Sequence, residues 1–444
     1  MAVVTVSPRY VANNSGSWAT PDNVLAEDGA FATVTANNNS KQLAVHTFHL
    51  GEAIKPASTI TKVEFIYKAK VDGNTAASFL EVHGKTGGTG GTFLTGGWWS
   101  TAATTTLTEV VTDVTAGTSW DRDDLLDGGV VIYFRGRVNN TTDTVFSLDS
   151  IKLRVTYTEP TVNTLVYEDD CSDSTFSNVW GDWTGSMVSN ARVTTTLSGG
   201  STFTKLDGSA ASGNRRTIAV NDGDDVDPGV DVDERTEIGY NSQNTATKTF
   251  ARFYDAEYWK LAWAAKLPSD STLDENAASY QVTTQIKQLP GTATGGTPMQ
   301  SVHLRGGNWE LWASDYPSDP ANSSRLWYCP ATRNLSTRFI LDIIFSDDPA
   351  IGKIRLTVIE DGGNTYTSPI FQKETLITET GVQSPIPYQN IGEAVPAHWR
   401  AGIYHLHTLA GGTLDMDNFQ AMYMVDAFPT STPATRIALL GVGW

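Results

Sequence analysis

Three short segments concentrate side chains that can grip an anion or pass a proton. In residues 233–240 the two-residue period of an extended chain puts Arg235 and Glu237 on one face and Ile238 on the other. In residues 280–288 it groups Gln281, Thr283, Gln285 and Lys287, with Val282 and Ile286 toward a core. In residues 398–405, His398, Arg400, Gly402 and Tyr404 share a face opposite Trp399 and Ile403. If the three strands are neighbours, one sheet face carries Arg235, Glu237, Gln285, Lys287, Arg400 and Tyr404. A face with so many long polar groups is not a core. It is either solvated surface or the floor of a cleft that grips a polyanion.

Other constellations compete with this one. Residues 221–233 are rich in carboxylates and suggest either a structural calcium site or a solvated acidic loop; the EF-hand spacing is not met. Gly84-Lys85-Thr86 has the ending of a phosphate loop, but Phe79 stands where that motif needs its first glycine, and a flexible turn fits better. Trp98-Trp99, after a glycine-rich stretch, could form a platform for sugar rings, although most tryptophans in β-sandwiches are core.

The elements that must position these residues are strands. Residues 59–70 put Ile60, Val63, Phe65 and Tyr67 near a two-residue period. In residues 151–157, Ile151, Leu153, Val155 and Tyr157 alternate with Lys152, Arg154 and Thr156, as in a half-buried antiparallel strand. Glycine- and asparagine-rich turns separate such runs, which predicts an all-β chain. A boundary falls near Pro160, because proline cannot continue a ladder. The expected architecture is a β-sandwich module over 1–158, a larger β-domain over 164–428 and a tail over 429–444.

Length and charge bound the function. The 444 residues exceed one ordinary core and suggest two or three domains. The formal net charge is −18, with −3 in residues 1–158 and −15 in the remainder. So acidic a surface argues against duplex nucleic acid and anionic membrane as partners. No apolar run approaches a membrane span. Cys171 and Cys329 could form at most one disulfide and cannot make a four-cysteine metal cluster. The first residues lack the pattern of a signal peptide, which suggests a trimmed leader or release by another route, such as cell lysis with a virion.

The three segments together resemble the jelly-roll polysaccharide lyases of the alginate, glucuronan and heparin lyase group. That pattern is an R-T/S-E strand, a Q-I-H strand and a Y-x-K-x-G-x-Y strand, in that order. Here Arg235-Thr236-Glu237, Gln285-Ile286-Lys287 and His398-Trp399-Arg400-Ala401-Gly402-Ile403-Tyr404 stand in the same order. Residues 260–268, 300–312 and 415–425 also fit the scaffold, and the resemblance covers roughly 164–428. It departs at Lys287, where the family has histidine; at Gly239, often arginine; at Arg400, a lysine; and at His398, an aromatic.

The resemblance implies a concanavalin-like β-jelly-roll that cleaves a uronic-acid polymer by β-elimination. The C5 proton of a uronate is poorly acidic while the adjacent carboxylate is charged, so that carboxylate must be neutralised. Arg235 and Gln285 suit this as charged fork and amide partner. By resemblance Tyr404 is base and acid, its phenolate favoured by Arg400, Arg235 and Lys287. Glu237, Arg400, His398, His303, Arg305 and Gln281 complete the expected substrate-binding set. In mannuronate and glucuronate the C5 proton and C4 oxygen lie on one side, where one tyrosine can serve both steps. Guluronate or iduronate would need a second group, and His303, His398, His405 and His407 are candidates.

The expected partner is therefore an anionic polysaccharide such as alginate, polymannuronate or glucuronan, with no cofactor beyond that calcium option. The expected setting is extracellular or virion-associated. Two alternatives stand beside it. Asp231, Asp233 and Glu237 resemble the E-x-D-x-x-x-E strand of retaining jelly-roll glycoside hydrolases, whose carboxylates are nucleophile and acid/base. That reading leaves Gln285, Arg400 and Tyr404 without a role. The other is a non-catalytic sugar-binding or phage-tail protein, to which the opening of the first module bears a likeness in Trp18–Asn23 and Glu27–Gly29.

Overall fold

The computed structural model describes residues 1–12, 17–46, 48, 50, 53–73, 75–86, 91–125, 129–172, 193–220, 233–239, 252–273, 281–288, 298–315, 319–376, 397–406 and 412–430. These residues form two units, Met1–Pro160 and the chain from Thr161 onward. Both are built from antiparallel sheets. Among the described residues no helix is long and apolar enough to cross a membrane.

The first unit is a sandwich of two sheets. One has the order β1 (Ala2–Val6), β11 (Thr144–Thr158), β5 (Thr59–Asp72), β9 (Thr108–Asp113), with β3 (Ala32–Ala36) also on β11. The other has the order β2 (Tyr10–Ala12), β4 (Ser40–His46), β10 (Val130–Val138), β6 (Ser78–Thr86), β7 (Thr92–Phe93), with β8 (Trp99–Ala102) also on β6. The inward positions of both sheets share one core that includes Val63, Phe65, Tyr67, Phe134, Ile151, Leu153 and Val155. The alternation predicted for residues 151–157 is what the fold contains. The uneven step from Ile60 to Val63 is a bulge, where the register of β5 against β11 shifts. Gly136 is required by packing, since a Cβ there would meet the Phe146 ring at 2.4 Å.

The second unit also stacks two sheets. The first runs β13 (Val193–Thr196), β14 (Arg215–Val220), β27 (Gly412–Tyr423), β17 (Glu257–Lys266), β22 (Ser336–Phe345), β23 (Lys353–Glu360), β24 (Thr365–Thr367); β12 (Thr164–Asp169) joins β27 and β25 (Phe371–Gln372) joins β23. The second runs β15 (Asp233–Gly239), β26 (Ala397–Leu406), β18 (Gln281–Gln288), β19 (Gln300–Arg305), β20 (Asn308–Asp315), β21 (Asp319–Pro330), with β16 (Arg252–Phe253) also on β26. Trp259, Trp263 and Phe339 from one sheet pack with Ile286, Trp309, Trp399 and Ile403 from the other. Trp263 stacks on Phe339 at 5.0 Å and meets Trp399 edge-on at 5.7 Å. The core thus claims one face of the second sheet and leaves its other face to polar residues.

Charge is also buried within this unit. The Arg216 guanidinium, with 0% side-chain exposure, donates from Nε and Nη2 to Asp169 at 3.0 and 2.8 Å, and from Nη1 to Thr195 at 2.9 Å. Cys171 and Cys329 are separate buried free thiols, so the fold makes no disulfide of them. Burial raises the Cys171 thiol and pushes Cys329 up to about 12, which leaves both protonated and inert. The calcium option at 221–233 lies outside the described residues, as does Asp231; Asp233 is described for its backbone only.

Candidate active site

The three segments singled out in the sequence are hydrogen-bonded neighbours, with β26 between β15 and β18. Arg235 lies opposite Tyr404, Glu237 opposite Gly402 and Gly239 opposite Arg400. On the other edge of β26, Gln285 lies opposite Arg400, Lys287 opposite His398 and Val282 opposite Tyr404. Extending across β19, one row of the sheet runs Arg235, Tyr404, Val282, His303, and another runs Gly239, Arg400, Gln285, Ser301. The side chains of Arg235 and His405, and all of His407, lie outside the described residues.

This polar face is not solvated surface. Glu237, Gln285 and His398 are each 1% exposed, His303 6% and Arg400 8%. Tyr404, Lys287 and Arg305 are half-buried. Buried polar groups must find partners, and here they find one another. Gln285 Nε2 donates to Glu237 Oε1. Gly402, opposite Glu237, adopts φ 150° and offers no side chain, so these two long side chains meet over the intervening strand. No described residue hydrogen-bonds Gln285 Oε1.

Arg400 Nε donates to His398 Nε2 at 3.1 Å. That nitrogen must therefore carry its lone pair, which places the imidazole proton on Nδ1. His398 acts here as an orienting group for the guanidinium. His303 Nε2 is 2.8 Å from Ser301 Oγ, and its ring stacks on Trp312 at 5.0 Å. Burial, with help from the nearby Arg305 charge, lowers His303 to about 3, so its imidazole is neutral across the ordinary pH range. Trp312 is fixed in turn by Glu310, which accepts its indole N–H at 2.8 Å and Arg325 Nη1 at 2.6 Å.

Two expectations are corrected by a bulge in β18. Its register shifts between Val282 and Thr284 against both neighbours. Ile286 does enter the core, but Val282 does not join that cluster; it sits in the Tyr404 and His303 row. β18 carries one extra residue against β19 and one fewer against β26, and the facing of everything before Thr284 is inverted. Gln281 accordingly pairs with His405, on the face away from Tyr404, and is not grouped with Gln285. Ser301, Glu310 and Trp312 are the residues sequence reasoning passed over. The alternation of 300–305 and 308–315, which sends Val302, Leu304, Trp309 and Leu311 to the core, carried the signal.

The fold and this face define a carbohydrate-active protein of the lyase and glycanase type. Residues 181–423, more than half of the chain, match the polysaccharide lyase family, and the chain belongs to that family. Similar solved structures include the endo-β-1,4-glucuronan lyase of the fungus Trichoderma reesei, at 12% identity over 52% of this chain and 87% of that one, with TM-score 0.34. The GH131 β-glucanase catalytic domain from Podospora anserina is similar at 11% identity, over 60% of this chain and 98% of that one, with TM-score 0.36. The alginate lyase vAL-1 from Chlorella virus is similar at 14% identity, over 52% of this chain and 92% of that one, with TM-score 0.27. No curated protein matches the chain. At these identities the likenesses do not extend to substrate.

Proposed function

We propose that the second unit cleaves a uronate-bearing polysaccharide by β-elimination, with Tyr404 as the proton-transfer group. The carrying observation is that Tyr404 lies two residues along β26 from Gly402, between Arg235 and Val282 in its row, with His303 beyond Val282, and next to the row of Arg400 and Gln285.

In this reading Arg400, Gln285 and Arg235 receive the uronate carboxylate. Gln285 has a second amide hydrogen beyond the one given to Glu237, and Arg400 is aimed by His398. Neutralising that carboxylate lets the C5 carbanion develop as an enolate. The Tyr404 phenolate takes the C5 proton. The C5 electron pair forms the C4–C5 double bond, the C4–O bond breaks, and the phenol returns its proton to the departing glycosidic oxygen. One group can do both where proton and leaving oxygen lie on the same side, which favours mannuronate- or glucuronate-type linkages. The polymer places the enzyme's work outside the cell or on a virion.

The test is ultraviolet absorbance of unsaturated uronate ends on alginate, polymannuronate, glucuronan and heparosan, with reducing ends assayed in parallel. Absorbance that rises in the wild type and vanishes in a folded Tyr404→Phe variant is expected. Reducing ends without absorbance would replace elimination by hydrolysis. Full activity of Tyr404→Phe would remove the assignment of the base.

A further inference from the structure

The outward face of the second sheet in the first unit differs from its counterpart across the sandwich. On the other sheet the outward cations meet carboxylates: Lys62 and Arg154 hold Glu64, and Lys68 and Lys152 hold Glu27. On this sheet the outward positions carry rings. Tyr10, His46, Val131, Lys85 and Phe93 stand opposite one another across all five strands, β2 to β7, in a single row. Strands lie about 4.8 Å apart, so four spacings make the row about 19 Å long.

Both ends of the row are exposed aromatic rings, Tyr10 at 44% and Phe93 at 49%. Inside it, Lys85 Nζ lies over the Phe93 ring at 4.3 Å, and His83 stacks on the same ring at 4.7 Å. The floor is apolar, made of Ala44, Val131 and Tyr133 with Trp98 packed against it. Arg135 lies over Trp98 at 3.9 Å. The charged outward positions of these strands are Lys85, Arg135 and Arg137 against the one carboxylate Glu81, which accepts from both arginines and still leaves a local excess of cations on a chain of net charge −18.

We propose that this face binds an anionic polysaccharide strand laid across the β-strands, along the row from Tyr10 to Phe93. Sugar rings present flat apolar faces that stack on exposed aromatic rings, and carboxylates on the same chain meet Lys85 and Arg135. The row is long enough for several linked pyranoses. An extended polymer matches a narrow row ended by two rings better than a folded protein does, since a protein interface would need a broader apolar centre. Backbone recognition of nucleic acid would need more cations than this face carries. The proposal does not depend on what chemistry the second unit performs.

The experiment is affinity electrophoresis of the full-length protein in gels containing polymannuronate, polyguluronate or glucuronan. The background is Tyr404→Phe, and polymer length is checked after each run so that cleavage by either chemistry would be seen. The combined Tyr10→Ala and Phe93→Ala change removes two half-exposed rings and leaves the core alone; an unchanged melting temperature verifies folding. It should weaken retardation by about tenfold or more, as loss of interface anchors does. Lys85→Gln should weaken it less and flatten its salt dependence. Val3→Ala, at an exposed position of the other sheet, should change nothing. Undiminished retardation in the ring variant would overturn the proposal, because binding would then belong to the second unit. So would absence of retardation by every polyuronate, equal retardation by neutral β-glucan, or displacement by single-stranded oligo-dT in preference to polyuronate.

Discussion

Gln285 on β18 and Glu237 on β15 are hydrogen-bonded to each other although β26 runs between their strands, and they meet above Gly402. The contact fixes a buried amide in the row beside Tyr404. It also gives Glu237 a definite task, as the acceptor that holds Gln285 in place.

Removing that acceptor should therefore disturb Gln285 more than it disturbs the fold. Glu237→Ala leaves a buried amide donor unbonded, at a cost of about 1–3 kcal/mol. Turnover on a polyuronate should fall by at least about tenfold, with KM less affected. Glu237→Gln keeps an acceptor oxygen and should recover most of that loss. Hydrolysis with Glu237 as catalytic acid or nucleophile predicts instead that the Gln variant is as inactive as the Ala variant.

Gly402→Ala tests the same contact from the backbone. At φ 150° any side chain is strained, by about 1–3 kcal/mol. The new Cβ would also rise between Glu237 and Gln285. Melting temperature should drop modestly while activity is lost almost entirely. A fully active alanine variant would show that the approach over β26 is dispensable.

His303 sets a pH dependence of stability whose sign is fixed. Its folded value of about 3 lies below the ordinary 6.5, so above pH 6.5 the ring is neutral whether folded or not. As pH falls toward 3 the unfolded chain takes up a proton that the folded chain refuses, and stability declines. The slope is about 1.4 kcal/mol per pH unit, or about 2 kcal/mol between pH 7.5 and 5. Urea titrations at those two pH values should show a larger loss in wild type than in His303→Gln, the remainder in both coming from His46 and His83, which burial also lowers. The carboxylates of Glu27 and Glu64, lowered to about 2 by their lysine and arginine partners, act only below about pH 4.5 and do not confuse the comparison.

The Arg216 and Asp169 pair should be costly to break and cheaper to replace. Arg216→Met strands a buried carboxylate and should destabilise the second unit by about 3–5 kcal/mol. Adding Asp169→Asn removes the stranded charge and should recover part of it, read as a shift of the urea midpoint. Equal midpoints for the single and double variants would mean that packing around Arg216, not charge, is what counts.

The sequence exposed the site unevenly, and the reasons are local. Alternation along β26 placed His398, Arg400 and Tyr404 opposite Trp399 and Ile403, and the fold agrees. The β18 pattern held from Thr284 onward and failed before it, because a bulge leaves no mark in the hydrophobic period. Pattern also could not tell a solvated polar face from a buried one. That difference arises from partners such as Glu237 and Gln285, which lie 48 residues apart in the chain. His303 illustrates the limit: its strand face was readable, but its neutrality follows from burial that only the packed sheet creates.

Among the described residues, the last two strands of the second unit occupy interior places in its sheets. β26 joins β15 to β18, and β27 joins β14 to β17. On a growing chain both sheets therefore stay divided until residues 397–423 emerge. At ribosomal speeds of about 5–20 residues per second, the first unit has a lead of roughly ten seconds to a minute. During that lead the edges of β15, β18, β14 and β17 await their partner strands. It also means that a chain lacking residues 397–406 cannot assemble the site.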